Sequence, residues 1–176
     1  FDWVYQGPID KPVGVGILGV GGTFNMGVLH SNLMSNAPGL EVKAACDIDP
    51  VRLAETKKEL PDIDTYTDLD KMLGSKKIDM VVVILPHNIH AKFAKKCLQA
   101  GKHVVVEKPF TITGAEATEL IDIAKENGVM LSCFQNRHWD GEPSTLKEVV
   151  DSGKIGDVYQ MRAVKAGSKM PREWWR

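Results

Sequence analysis

The chain has 176 residues, 43% of them hydrophobic and 26% charged, and a formal net charge of -1. This composition predicts a folded protein with one sizeable core and part of another, and the charge argues against a nucleic-acid partner. No apolar run is long enough for a transmembrane helix and no signal-peptide pattern is present, so we expect a cytoplasmic protein with no membrane association.

Apolar runs typical of strands alternate with helical patterns along most of the chain. This alternation predicts an α/β fold, a doubly wound parallel sheet of the Rossmann type, over residues 11–134. The predicted strands are 13–18, 42–46, 80–85, 104–106 and 129–133. The predicted helices include 24–34, one that starts at Asp49-Pro50, one that follows Thr67, one near 89–98, and one opened by the capping box Thr113-Gly114-Ala115-Glu116.

The pattern changes after residue 134. A polar stretch is followed by a helical pattern near 144–152 and by alternation typical of a strand near 158–164. We expect residues 135–176 to be the linking helix and first strand of a second, α+β domain.

Two overlapping matches to the dinucleotide-binding pattern G-x-G-x-x-G occur near the first strand. Gly14 and Gly16 fall inside the apolar run 13–18, where a phosphate-binding turn cannot lie. The turn is therefore predicted after that run, where backbone N–H groups at the start of a helix can hold a pyrophosphate. Its residues are Gly19, Gly21, Gly22, Thr23 and Phe24.

Phe24 occupies the third position of the pattern, where glycine or alanine normally lets the helix pack closely on the strand. Two interpretations are open at this point. The turn is looser than usual, or a local insertion gives the close-packing role to Gly27.

Asp47 follows the second strand and supports the nucleotide interpretation. A carboxylate at this place accepts hydrogen bonds from the adenosine ribose hydroxyls. It would repel a 2′-phosphate, which predicts NAD as the cofactor and makes NADP less favoured, although Arg52 lies one helical turn further on.

Ligands of open α/β sheets lie beyond the carboxyl ends of the strands, so the residues there are candidate site residues. Lys108 directly follows 104–106 and is the candidate catalytic group, because an ammonium can hydrogen-bond a substrate hydroxyl or ketone during hydride transfer. The further cofactor-binding candidates at strand ends are Pro86, Asn88, His90, Glu107 and Asn136.

Five ordered segments together resemble the Gfo/Idh/MocA oxidoreductases. They are Gly19-Val20-Gly21-Gly22, Asp47-Ile48-Asp49-Pro50, Pro86-His87-Asn88-Ile89-His90, Glu107-Lys108-Pro109 and Ser152-Gly153-Lys154-Ile155-Gly156. The resemblance implies that Lys108 is at the catalytic centre, that Glu107 helps to place the cofactor, and that a cis peptide bond precedes Pro109. It also implies that Asn136 and Arg137 line the nicotinamide side and that Trp174, Trp175 and Arg176 lie near the cofactor.

The same resemblance implies an Asp and a His for proton transfer beyond Arg176, together with a sheet that forms the substrate wall and an oligomer interface. We therefore expect the chain to be part of a longer protein that forms homo-oligomers through that sheet. The expected substrate is a sugar, cyclitol or related polyol. An NAD-dependent glycosidase and a non-catalytic NAD-binding sensor or corepressor remain as alternatives.

Two other kinds of site are disfavoured. His87 and His90 have a spacing that suits two metal ligands, but the sequence offers no obvious third ligand, so no metal is expected. Three widely spaced cysteines in apolar surroundings favour buried thiols over disulfides. His30 is interpreted as a helix-face residue, and His90 as a cap of the helix after Asn88.

Overall fold

The computed structural model describes residues 11–21 and 26–164. The chain divides into two compact units, Phe1–Phe134 and Gln135–Arg176. Among these described residues, the first unit contains the six strands of the sheet, and the second contains a short 3-10 helix and one α-helix.

The first unit is built on a parallel sheet. Its strands are β1 (Val13–Leu18), β2 (Leu40–Cys46), β3 (Asp64–Tyr66), β4 (Met80–Val83), β5 (His103–Val106) and β6 (Leu131–Cys133). Their order is β3-β2-β1-β4-β5-β6, and every neighbouring pair is parallel. The prediction of a doubly wound parallel sheet is confirmed.

Helices connect successive strands. They are α1 (Met26–Ser35), α2 (Pro50–Glu59), α3 (Leu69–Leu73), α4 (His90–Gln99) and α5 (Gly114–Glu126), with a 3-10 helix over His87–Ile89. The predicted capping box of α5 is present, since Thr113 and Glu116 each accept a hydrogen bond from the other's backbone N–H. The N-cap of α2 is Asp49, as expected, and that of α3 is Asp68.

The core consists of two hydrophobic clusters, because the side chains of a strand alternate between the two faces of its sheet. In β4, Val81 and Val83 belong to the cluster with Met72 and Leu98, whereas Met80 and Val82 belong to the other. All four residues of β4 are buried. This double burial explains why central strands appear in the sequence as continuous apolar runs.

Two strand predictions need correction. The edge strand β3 was not predicted, and its three residues, which include a polar Asp64, carry no apolar run. Conversely, residues 158–164 do not form a strand. A strand requires a hydrogen-bonding neighbour, and within the described part of the chain no segment pairs with these residues.

Backbone hydrogen bonds continue just past the ends of several strands and hold the loops that follow beside one another. Gly19 N–H donates to Cys46 O at 2.8 Å, Ile84 N–H to Leu18 O at 2.8 Å, and Glu107 N–H to Val83 O at 3.0 Å. The carboxyl ends of β2, β1, β4 and β5 therefore meet at one edge. This edge includes the boundary between β1 and β4, where the strand order reverses and where ligands of such sheets bind.

Candidate cofactor site

The turn after β1 requires glycine at its first position. Gly19 has a φ of +93°, and a Cβ there would lie 2.0 Å from the backbone oxygen of Ile84. Gly14 and Gly16 lie inside β1, so the competing match to the glycine pattern is not a turn. Of the other turn candidates, Gly21 lies against the side chain of Arg52, and Gly22, Thr23 and Phe24 lie outside the described residues.

The close approach of helix to strand occurs at Gly27. A Cβ on Gly27 would lie 2.6 Å from Val20 Cα, and Gly27 is buried within α1. This contact favours the interpretation that Gly27 takes the packing role of the third glycine, and the turn residues 22–25 lie outside the described residues.

The carboxylate of Asp47 lies at the glycine turn. It is 7% exposed, and its Oδ2 accepts a hydrogen bond from Val20 N–H at 3.1 Å while its Oδ1 accepts one from Asp49 N–H at 3.0 Å. Arg52 Nη1 lies 3.9 Å from Oδ1. A carboxylate has more acceptor positions than these two N–H groups occupy, so Asp47 can also accept ribose hydroxyls.

His90 joins the loops that follow β4 and β5. Its ring is completely buried, with Nδ1 2.9 Å from Pro109 O and Nε2 2.7 Å from Leu85 O. Both partners are carbonyl oxygens, and the tautomer of the ring determines which nitrogen donates.

The expectation that His90 caps a helix is wrong. The N-cap of α4 is Ile89, which makes no side-chain cap hydrogen bond. Its role as a cofactor contact stays a prediction; in the structure the side chain has no exposed surface, and both ring nitrogens lie near loop carbonyl oxygens. Pro86 and Asn88, by contrast, are exposed beside it.

A metal site is not formed by these histidines. The rings of His87 and His90 are 5.7 Å apart, and both nitrogens of His90 face carbonyl oxygens. Within residues 11–21 and 26–164, no group of three or more His, Cys, Asp or Glu side chains could hold a metal ion.

The Glu107-Lys108-Pro109 segment follows β5 directly. Its Lys108-Pro109 bond is cis, as the resemblance implied. Glu107 is 6% exposed, and its Oε1 lies 2.8 Å from His30 Nε2 while its Oε2 accepts the Lys108 N–H at 2.8 Å. Lys108 itself is exposed, as the candidate catalytic group must be.

Burial of Glu107 acts to raise the pKa of its carboxyl group. The hydrogen bonds from His30 and the Lys108 amide, together with the positive charges of those two residues, outweigh burial and hold that pKa below its ordinary value. Glu107 is thus kept as a carboxylate that accepts from both neighbours.

The remaining candidates belong to the second unit. Asn136 and Arg137 lie in a 3-10 helix over Asn136–Trp139, both exposed, and Arg137 Nη1 donates to Asp140 Oδ2 at 3.0 Å. The helix α6 (Gly141–Asp151) follows. Trp174, Trp175 and Arg176 lie outside the described residues.

The partnership of His30 with Glu107 was missed by sequence reasoning, although a signal for burial existed. The buried residues of α1 at spacings i, i+3, i+4 and i+7 are Gly27, His30, Ser31 and Met34. This spacing places His30 on the face that packs against the sheet.

The first unit fits the dinucleotide that such folds bind. Gly19 forms a turn that a Cβ would fill, the helix α1 follows it, and Asp47 supplies a fixed acceptor. These are the features by which a pyrophosphate and an adenosine ribose are held.

Comparison with known proteins gave a consistent result. Residues 13–135 match the GFO_IDH_MocA family, described as an oxidoreductase family with an NAD-binding Rossmann fold. An uncharacterized oxidoreductase of Schizosaccharomyces pombe is 38% identical over 154 residues, which are 86% of this chain and 41% of the relative. The scyllo-inositol 2-dehydrogenase (NADP(+)) IolW of Bacillus subtilis is 33% identical over 162 residues, covering 91% of this chain and 44% of that enzyme.

A solved structure supports the same assignment. An NAD-binding protein from Listeria innocua superposes with a TM-score of 0.76 at 33% identity, over 84% of this chain and 42% of that one. The chain thus spans less than half the length of the relatives that it matches.

Proposed function

Since the chain belongs to the GFO_IDH_MocA oxidoreductase family, we propose that the complete protein is an NAD-dependent dehydrogenase of a sugar, cyclitol or related polyol. The observation that carries the proposal is the position of Lys108. It is exposed directly after β5, on the sheet edge that also bears the Gly19 turn and Asp47.

Each residue has a separate task in this reaction. When bound, the nicotinamide supplies the hydride acceptor for oxidation of a CH–OH carbon. Gly19 and the start of α1 hold the pyrophosphate, and Asp47 holds the adenosine ribose. The Lys108 ammonium donates a hydrogen bond to the substrate oxygen and stabilises the negative charge that develops there. The hydroxyl proton passes to the Asp and His that the family resemblance implies for proton transfer.

The preference for NAD rests on the surroundings of Asp47. A 2′-phosphate bound there would face a carboxylate that two backbone N–H groups hold in place, and like charges in such contact cost several kcal/mol. Arg52 offsets only part of this repulsion, because its Nε also pairs with Asp49 Oδ2 at 3.3 Å. The relative IolW is named for NADP(+), so this preference is a proposal about the present chain alone.

The test uses the full-length protein with NAD or NADP and a panel of inositols, sugars and sugar alcohols. Reduced nicotinamide should accumulate with NAD and at least one cyclic polyol. Binding of NAD without reduction by any member of the panel would contradict the dehydrogenase proposal. Cleavage of a glycoside without accumulation of reduced nicotinamide would favour the glycosidase instead.

A further inference from the structure

A buried acid and a buried imidazole connect α1 to the end of β5. His30 Nε2 and Glu107 Oε1 are 2.8 Å apart, and their side chains are only 3% and 8% exposed. The two residues are 77 positions apart in the chain, so only the folded sheet brings them together. Removal of one partner would leave the other buried without its hydrogen bond, which is costly.

The second oxygen of the same carboxylate holds the backbone of Lys108. Glu107 Oε2 accepts the Lys108 N–H at 2.8 Å, so a continuous path of two hydrogen bonds runs from the His30 ring to the Lys108 amide. The His30 ring is itself fixed by an edge-on contact with Phe134, whose ring centroid is 4.4 Å away. Phe134 is in turn held by its N–H, which donates to Val106 O.

This path begins on α1, the helix that follows the glycine turn after β1. His30 lies on the face of α1 that contains Gly27, which packs against Val20 in that turn. The contact of Gly27 with Val20 therefore sets the position of α1. The position of α1 in turn sets that of the His30 ring, which contacts Glu107. On the other side of Lys108, His90 holds Pro109 O.

We propose that His30 is a positioning residue for catalysis, which orients the carboxylate of Glu107 and through it the backbone that carries Lys108. This inference rests on the proposed function, in which Lys108 acts on the substrate oxygen. His30 contacts neither substrate nor cofactor in this scheme. It couples the position of the Lys108 backbone to the position of α1.

Three variants of the full-length protein test the proposal. His30→Leu removes the donor, whereas His30→Gln places an amide N–H near the position of Nε2. The matched control is Ser31→Ala, which alters the next buried polar residue of α1 and breaks only a hydrogen bond to Gly27 O. If His30→Leu does not fold, His30→Asn replaces it, because its shorter amide cannot reach Glu107.

The measurements are kcat, the dissociation constant of NAD and the hydrogen-exchange rate of the Lys108 amide. We expect His30→Leu to lower kcat by a factor on the order of 10², the cost of a misplacement of about 1 Å, with little change in NAD affinity. The Lys108 amide should exchange faster in this variant. His30→Gln should restore most of the wild-type kcat and most of the slow exchange of the Lys108 amide. Ser31→Ala should resemble the wild type in both measurements.

The exchange rate keeps the two proposals distinguishable. A wild-type protein without dehydrogenase activity would refute the proposed function and with it the catalytic part of this inference, while faster exchange in His30→Leu would still show that His30 fixes the Lys108 amide. An unchanged kcat in His30→Leu of an active enzyme overturns the positioning role. Equal losses in His30→Leu and His30→Gln would also overturn it.

Discussion

Gly27 in α1 and Val20 in the turn after β1 lie in backbone contact, and a Cβ on Gly27 would be 2.6 Å from Val20 Cα. Gly27 is the second residue of α1, and glycine is a weaker helix former than alanine. Its presence here is explained by the approach of the helix to the cofactor turn, which no other residue permits.

Gly27→Ala should therefore destabilise the protein despite the better helix propensity of alanine. The clash is with backbone atoms and should cost about 1–3 kcal/mol of the free energy of unfolding, measured by urea denaturation. Gly114→Ala is the matched control, since Gly114 is also helical and a Cβ there meets nothing within 4 Å. Equal stabilities of the two variants would contradict the packing argument.

Replacement of Asp47 should change cofactor choice. In the wild type we expect NAD to bind at least about 100-fold more tightly than NADP, because like-charge contact costs several kcal/mol. Asp47→Ser should narrow this ratio, and Asp122→Ser, which removes an exposed carboxylate of α5, should leave it unchanged. The measurement is titration of both cofactors at one ionic strength. Comparable wild-type dissociation constants would refute the preference.

Lys108→Ala in the full-length enzyme should reduce kcat/KM by about 10²- to 10³-fold, the usual cost of removing a donor that stabilises developing negative charge. NAD affinity should change little, because in the proposed function the Gly19 turn and Asp47 provide the binding contacts. Lys125→Ala removes an exposed lysine of α5 and serves as the charge control. Near-normal turnover of Lys108→Ala would show that this lysine has no catalytic role.

The free energy of unfolding should fall at acidic pH as the Glu107 carboxylate becomes protonated. Its folded-state pKa lies below the ordinary value, so in the window between the two values the unfolded chain binds more protons than the folded one. The stabilisation is present above the ordinary pKa of about 4.3 and is lost as the pH falls through the folded pKa. Urea denaturation at a series of acidic pH values should therefore show that the free energy of unfolding depends less steeply on pH for Glu107→Gln than for the wild type. The exposed Glu126→Gln should retain the wild-type slope.

Cys46 and Cys97 should be unreactive in the native protein. Burial, and to a smaller extent the negative charges of Asp47 and Asp68, raises the pKa of Cys46 to about 11. Burial is likewise the main cause that raises the pKa of Cys97 to about 12. Because the thiolate is the reactive species, a maleimide should label both residues slowly in native protein and rapidly in urea, as read by peptide mass spectrometry. Fast native labelling would contradict their burial.

Strands that are buried on both faces of the sheet were the easiest elements to predict from the sequence. The central strands β1 and β4 appear as continuous apolar runs because both faces are covered, whereas β3 pairs on one side only and its three residues leave no such run. The start of the second unit was less predictable. Residues 158–164 alternate like a strand, but a strand is defined by a partner that a local pattern does not contain.

The same distinction applies to the site. Lys108 and Asp47 could be predicted because each directly follows a strand, so position alone places them at the ligand edge. The roles of His30 and His90 depend on partners 77 and 19 residues away. Spacing within α1 indicates that His30 is buried, but it cannot indicate which acidic residue His30 meets.

The two backbone hydrogen bonds to Asp47 have a consequence for the affinity of a ligand that binds there. They fix the rotamer of the carboxylate when the protein folds, before any ligand arrives. A ribose that binds there does not have to immobilise this side chain, so the loss of conformational entropy on association is smaller than for a freely rotating acceptor. If the adenosine ribose binds at Asp47 as proposed, it meets a preorganised acceptor, and less of the binding free energy is offset by ordering of the side chain.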